Sequence, residues 1–78
     1  MEKIIDYVKR SIDEMKMHGG EPSKLQMDMA TFHMMLEEMD NLNDVVAVEN
    51  LGHVVYFVCG LKFEKRNDIA KDTVFIVS

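Results

Sequence analysis

The chain has 78 residues, of which 47% are apolar, and its 14 acidic and 9 basic residues give a formal net charge of −5. This length allows one domain, residues 1–78, and the apolar content is too high for a disordered segment. The excess of acids argues against direct binding to nucleic acid, because such an interface needs a basic face that displaces counterions.

The N-terminal segment has the pattern of an amphipathic helix over residues 2–17. Its apolar residues recur at steps of three and four, so they share one face. These residues are Ile4, Ile5, Val8, Ile12 and Met15. Gly19 and Gly20 predict the end of the helix, because glycine accepts the left-handed conformation of a C-terminal cap.

A strand and a second helix are predicted next. Pro22 suits the entry of a strand over residues 21–27, because proline has no amide hydrogen to donate. Leu25 and Met27 then alternate with polar residues, as in a half-buried strand. Asp28 is a predicted N-cap, since its carboxylate can accept from the free amides of the next turn. The helix runs to about residue 39, and helical spacing places these residues on one face: Phe32, Met35, Leu36 and Met39.

The last third of the chain is rich in β-forming residues. Strands are predicted over residues 45–48, 54–59, 61–64 and 73–77, with a turn at residues 50–52 and a bulge or tight turn at Gly60. The segment 54–59 is apolar on both faces, which is typical of a central strand.

This order of elements predicts an α+β fold. An N-terminal helix, a strand and a second helix precede a mostly antiparallel sheet, and both helices cover one face of it. If Val55, Phe57 and Cys59 point away from the helices, something must cover them. A second copy of the chain is the simplest cover, and a domain this small without an internal disulfide gains stability by association, so we expect a homodimer.

No segment predicts contact with a membrane. The longest apolar stretch, residues 54–59, is far shorter than the ~20 residues that a spanning helix needs. The first residues alternate charged and apolar side chains and do not form a signal peptide. A single cysteine, Cys59, fits a reducing compartment, so a cytoplasmic location is expected.

The sequence contains no pattern typical of catalysis, and we expect a protein that is not an enzyme and uses no cofactor or metal. The three histidines, His18, His33 and His53, are far apart, and none has zinc-ligand spacing. Cys59 lies among apolar residues, where burial raises the pKa of a thiol and makes it inert. We interpret all four as structural or surface residues.

Two groups of residues are candidates for contact with a protein partner. Methionine adapts to irregular surfaces, so Met29 and Met34 could form a binding patch, although a loosely specified core around the second helix explains them as well. The second group is acidic and could form an electrostatic interface or only a solvated edge: Glu37, Glu38, Asp40, Asp44 and Glu49. Acids at a helix C-terminus oppose its dipole, so something other than the stability of that helix is expected to hold them there.

The segment 21–28, followed by Phe32 and Leu36, resembles a pattern in small tailed-bacteriophage proteins and in part of the phage major capsid fold. There a proline leads a strand, a helix with spaced apolar residues follows, and a Gly-Leu-x-Phe segment and a last apolar strand come later. The corresponding segments here are 60–63 and 72–77. The resemblance implies a small phage-type α+β protein. The chain lacks the extended arm and long spine helix of capsid proteins, so it is not expected to form a shell by itself.

Two hypotheses follow from these observations. In the first, the chain is a non-enzymatic phage-type protein that acts through protein–protein contacts, in virion structure or assembly. In the second, it is an acidic early phage protein that inhibits a host nucleic-acid-binding protein by mimicking the charge of DNA. Charge-driven binding weakens as salt rises, whereas apolar packing does not, so salt distinguishes them.

Overall fold

The computed structural model describes residues 2–78 and confirms the α+β class. The helices and strands follow in this order: α1 (Ile4–Met17), β1 (Lys24–Met27), α2 (Met29–Glu38), β2 (Val45–Asn50), β3 (His53–Val58), β4 (Leu61–Lys65) and β5 (Phe75–Val77). No helix among these residues is long and apolar enough to cross a membrane.

The five strands form one mostly antiparallel sheet in the order β2-β3-β4-β1-β5. β1 lies parallel to β4, with Leu25 opposite Phe63, and antiparallel to β5, with Leu25 opposite Ile76. The remaining pairs, β2 with β3 and β3 with β4, are antiparallel hairpins. The parallel pair arises because α2 and the β2–β3 hairpin intervene between β1 and β4 along the chain.

Both helices pack on one face of this sheet, as expected. The Phe32 ring of α2 stacks on Phe63 of β4 with centroids 4.1 Å apart, and it also contacts Tyr56 at 5.4 Å. The helices and strands share one apolar core, formed by Ile5, Val8, Ile12, Leu25, Met27, Phe32, Met35, Val58 and Leu61. Thr31 is the buried polar residue beside it, and its hydroxyl accepts from the Asp72 amide at 2.9 Å. This bond ties the loop before β5 to α2.

The predicted start of α2 and the predicted end of α1 are confirmed, whereas α1 begins at Ile4 and not at residue 2. Asp28 is the N-cap of α2 and accepts from the Thr31 amide at 3.1 Å. α1 ends with His18 as its C-cap, followed by Gly19 in the left-handed conformation at φ 83°. Gly20 lies so close to α1 that a β-carbon there would stand 2.6 Å from Met15 Cγ.

Some strand boundaries differ from those predicted. β1 begins at Lys24 and not at residue 21, so Pro22 lies before the strand and not within its first residues. β5 begins at Phe75, because Thr73 donates to the Ala70 carbonyl at 3.2 Å and belongs to a turn. β3 ends at Val58, because Cys59 adopts φ 51° and starts the next turn.

Two hairpins with two-residue turns surround β3. Residues 51–52 join β2 to β3 and residues 59–60 join β3 to β4. Leu51 and Gly52 have φ of 52° and 81°, and Cys59 and Gly60 have φ of 51° and 82°. Positive φ at both turn residues is the geometry whose twist matches paired strands, and it normally selects Asn, Asp or Gly. Leucine at the first position is therefore unfavourable for the backbone.

The β2–β3 hairpin projects from the rest of the sheet, and we call it the β2–β3 arm (residues 45–58). β2 and β3 pair along their whole length, from Val45 with Val58 to Asn50 with His53. In contrast, β3 pairs with β4 only where Phe57 meets Lys62 and Val58 meets Leu61. The strand predicted to be central is therefore internal in strand order but joined to the body only at its end.

Candidate functional site

The β2–β3 arm exposes apolar side chains to solvent. Val46, Val48 and Val54 are 53%, 44% and 51% exposed, and Leu51 at the tip is 93% exposed. Isolated exposed apolar residues are ordinary, but these four belong to one projecting hairpin. This hairpin is the strongest candidate for a contact surface in the molecule.

The open face of the sheet, opposite the helices, is apolar only in part. Val46 lies opposite Phe57 and Val48 opposite Val55, so four apolar residues form a patch on the open face of the arm. Val55 and Phe57 are half-buried. Cys59, which was predicted to share this face, instead contributes to a groove beside α1.

Over β1 and β4 the same face carries a polar network. Gln26 donates to Glu64 at 2.8 Å and accepts from Arg66 at 2.9 Å, and Lys24 pairs with Glu64 at 3.5 Å. The hydrogen bond from Gln26 lowers the pKa of Glu64, and Lys24 acts in the same direction. The hydrogen bond from Arg66 likewise lowers the pKa of Asp68. This part of the sheet is suited to water and needs no cover.

Three of the five candidate acids contact α1 or its N-cap residue, Lys3. The Glu38 carboxylate accepts from the Ile4 amide at 3.2 Å, at the N-terminus of α1, where the helix dipole favours negative charge. Asp40 pairs with Lys3 at 3.4 Å. These contacts give a structural reason for acids at the end of α2, because they stabilise the start of the neighbouring helix.

Asp44 extends the same set of contacts. Its carboxylate pairs with Lys9 at 2.8 Å, and this hydrogen bond raises the pKa of the lysine. Glu37 and Glu49 are exposed, and neither forms an ion pair within residues 2–78. The structure therefore divides the acidic group in two. Three of the acids contact α1 or its N-cap, and the other two form no ion pair within residues 2–78.

The two candidate methionines differ in their distance from the acids. Met29 begins α2, whereas the acids start at Glu37, roughly 12 Å away at 1.5 Å per residue. Met34 lies one helical turn before Glu37 and Glu38. Met29 is half-buried, packs against the core and lines a cleft with Val54, Tyr56 and Phe63. Met34 is also half-buried. The cleft joins Met29 to residues 54–56 of β3, in the projecting part of the β2–β3 arm.

A groove of about 520 Å³ lies between α1 and the start of β2. It is lined by Lys9, Ile12, Asp13, Lys16, Asn43, Asp44, Val46, Cys59 and Gly60. Burial raises the pKa of the Cys59 thiol, and the Asp44 charge adds to this effect, so the thiol form is favoured. The groove combines two cations, two acids and apolar side chains.

The histidines lie in three separate places. His18 caps α1, His33 is exposed on α2, and His53 begins β3 at the end of the arm. Within the described residues, no three His, Cys, Asp or Glu side chains are grouped to hold a metal ion.

Sequence reasoning missed the exposed valines of β2, because a short run of β-branched residues is equally typical of a covered strand. One signal was present. A two-residue turn places its first residue at the tip of a hairpin, so Leu51 before Gly52 indicates an apolar side chain that projects into solvent.

Comparisons with protein-family models, with curated proteins and with solved structures give no match.

Proposed function

We propose that this chain is a non-enzymatic protein that acts through protein–protein contacts made by its β2–β3 arm. The observation that carries the proposal is the set of exposed apolar residues on one projecting hairpin: Val46, Val48, Leu51 and Val54. Fully burying a valine or leucine side chain stabilises by roughly 1.5–3 kcal/mol, so covering these residues is a substantial driving force for association.

The shape of the arm supports the same proposal. An outer strand offers unpaired backbone donors and acceptors as well as side chains, and adding a strand to such an edge is a recurring mode of protein recognition. Met29 lines a cleft beside the inner strand of the arm, β3, where it supplies an adaptable apolar side chain.

The resemblance to phage proteins gives this proposal its biological setting. A small protein whose contacts are made by a projecting hairpin suits a role in virion structure or assembly, where copies of few chains associate repeatedly. This proposed role in a phage depends on the resemblance of residues 21–28, 60–63 and 72–77 to phage proteins.

The alternative, an acidic inhibitor of a host nucleic-acid-binding protein, has less support. Glu38 and Asp44 are engaged with α1, and Asp40 pairs with its N-cap, Lys3, although the Asp40 side chain is 92% exposed. Glu37 and Glu49 are the members of the proposed acidic surface without a partner within residues 2–78. A mimic of nucleic acid needs a dense row of free charges, because its affinity comes from competing for a basic face.

The test is capture of partners from bacterial lysate on three immobilised proteins, with elution in salt steps. The wild type is compared with Val46→Lys/Val48→Lys, which places charges on the arm, and with Glu37→Lys/Glu49→Lys, which reverses the free acids. The proposal expects a salt-resistant partner, including further copies of the chain, that the arm variant loses and the acid variant keeps. Loss of binding only in the acid variant, with release at moderate salt, would support the inhibitor instead.

A further inference from the structure

We propose that two copies of the chain pair antiparallel through β2, centred on Ala47, with the hairpin tip of each copy lying against the α1–β2 groove of the other. This inference rests on the proposed function and names a second copy of this chain as the partner of the arm.

β2 is an unprotected edge strand. It ends the strand order and pairs with β3 over six uninterrupted positions, without a bulge. It contains no proline or lysine, the residues that usually prevent edge pairing, and Glu49 is its single charge. The opposite edge, β5, is only three residues long, so it offers little to a second strand.

The hairpin geometry determines which backbone groups of β2 are free. Asn50 and His53 close the turn, and such a closing pair exchanges hydrogen bonds. Bonded and non-bonded pairs then alternate, so residues 46, 48 and 50 direct their backbone groups toward β3. The Asp44 carbonyl, which accepts from the Cys59 amide at 2.8 Å, fits this alternation.

The odd-numbered residues of β2 therefore direct their backbone groups away from β3. They are Val45, Ala47 and Glu49. The Val45 amide is already satisfied, because it donates to the Leu42 carbonyl at 3.0 Å. The free groups are the amides and carbonyls of Ala47 and Glu49 and the carbonyl of Val45.

An antiparallel pairing centred on Ala47 uses these free groups. Ala47 of each copy donates to the Ala47 carbonyl of the other, and Glu49 donates to the Val45 carbonyl of the second copy. The register also places Val46 opposite Val48 of the second copy on the open face, which continues the apolar patch across the twofold axis. The sequence Val-Ala-Val is symmetric about this axis and puts its smallest side chain there, which favours a second copy over an unrelated strand.

The same register gives the α1–β2 groove an occupant. Glu49 lies opposite Val45 of the second copy. Continued by two residues, the same register brings Leu51 opposite Asn43 of the second copy. Asn43 and Asp44 both line the groove. Lys16, also in the lining, forms no ion pair within residues 2–78. Asp13, three residues before Lys16, also lines the groove and forms no ion pair within residues 2–78, so the charges of the lining balance. Lys16 is the unpaired cation available to Glu49, and Ile12 and Val46 provide apolar contacts for Leu51.

The first experiment is sedimentation of the full chain over a concentration series, for the wild type, Ala47→Pro and Val54→Pro. Each substitution removes a backbone amide hydrogen that points away from the β2–β3 ladder. Only the amide of Ala47 points toward the proposed second copy, so Val54→Pro is the matched control. The inference expects a dimer for the wild type and Val54→Pro and a monomer for Ala47→Pro, with circular dichroism showing that all three are folded. A dimer that survives Ala47→Pro overturns it.

A charge exchange tests the groove and does not depend on proline. Glu49→Lys should weaken the dimer about tenfold, since it faces Lys16 of the second copy, and Lys16→Glu/Glu49→Lys should restore it. A wild type that is monomeric at every concentration, or a double variant no tighter than Glu49→Lys, overturns the inference. The proposed function would survive that result if the arm still captures a different protein that Val46→Lys/Val48→Lys loses.

Discussion

Two strands of this sheet have similar apolar side chains and opposite burial. Leu25 and Met27 of β1 are 0% exposed beneath both helices, whereas Val46 and Val48 of β2 are 53% and 44% exposed. The difference lies in what covers each strand, because β1 is held between β4 and β5 and β2 has a single neighbour. An apolar strand without a cover in its own chain is a place where another chain can bind.

The body and the β2–β3 arm therefore have different tasks. The body, formed by the two helices with β1, β4 and β5, contains every core residue except Val58. The arm contributes Val58 at its base and otherwise half-buried or exposed side chains. Four changes test this division, from the largest expected effect to the smallest.

Removing the aromatic ring at the centre of the body should have the largest effect. Phe32→Ala leaves a cavity against Phe63 and should lower the free energy of unfolding by about 3–5 kcal/mol. A truncation in the arm, Val48→Ala, should change it by less than about 0.5 kcal/mol at concentrations where the chain is a monomer. Urea denaturation measures both, and a loss above about 1 kcal/mol for Val48→Ala would show that the arm belongs to the same cooperative core.

The acids at the end of α2 should differ in the same way. Glu38→Ala removes the acceptor for the Ile4 amide and should lower the free energy of unfolding by about 0.5–1 kcal/mol. The neighbouring Glu37→Ala, an exposed residue without such a contact, should stay within about 0.5 kcal/mol of the wild type. If urea denaturation gives the same free energy of unfolding for Glu38→Ala and Glu37→Ala, the structural role assigned to Glu38 is contradicted.

Relieving the unfavourable turn should stabilise the arm. Leu51→Asn replaces a leucine at φ 52° by the residue that such a turn prefers, and we expect a gain of about 0.5–1 kcal/mol. Hydrogen exchange of the β2 and β3 amides in dilute protein measures this gain. Leu42→Asn, at a loop position of similar chemistry and negative φ, is the control and should leave those amides unchanged.

The smallest expected effect is the loss of stability at low pH, and it should come from ionisable groups of the body. The pKa values of Glu64 and Asp68 are lowered in the fold, so their contribution to stability is present above the unfolded values, about 4, and is lost as the pH falls through the lower folded values. The urea midpoint should decline as the pH is lowered below about 4.5. Glu64→Gln should flatten this decline, whereas an equal decline in Glu64→Gln and Glu37→Gln would assign it to other groups.

Local patterns in the sequence predicted most of the body. The periodicity of α1, the N-cap at Asp28 and the turns at residues 50–52 and 60 depend on neighbouring residues, and the structure confirms them. The parallel pairing of β1 with β4 and the contact of Glu38 with Ile4 join residues far apart in the chain. A single sequence contains no local signal for such contacts, so the role of the acids and the exposure of β2 required the structure.

Hydrogen exchange of individual β2 amides at low and high protein concentration tests the central claim most directly. The amides of Ala47 and Glu49 face away from β3, so they should exchange freely in dilute protein and become protected as concentration rises, while the amides of Val46 and Val48 are protected throughout. If Ala47 and Glu49 exchange as freely at high concentration as at low, a second copy does not pair with this edge, and the account of the arm as a self-association surface is contradicted.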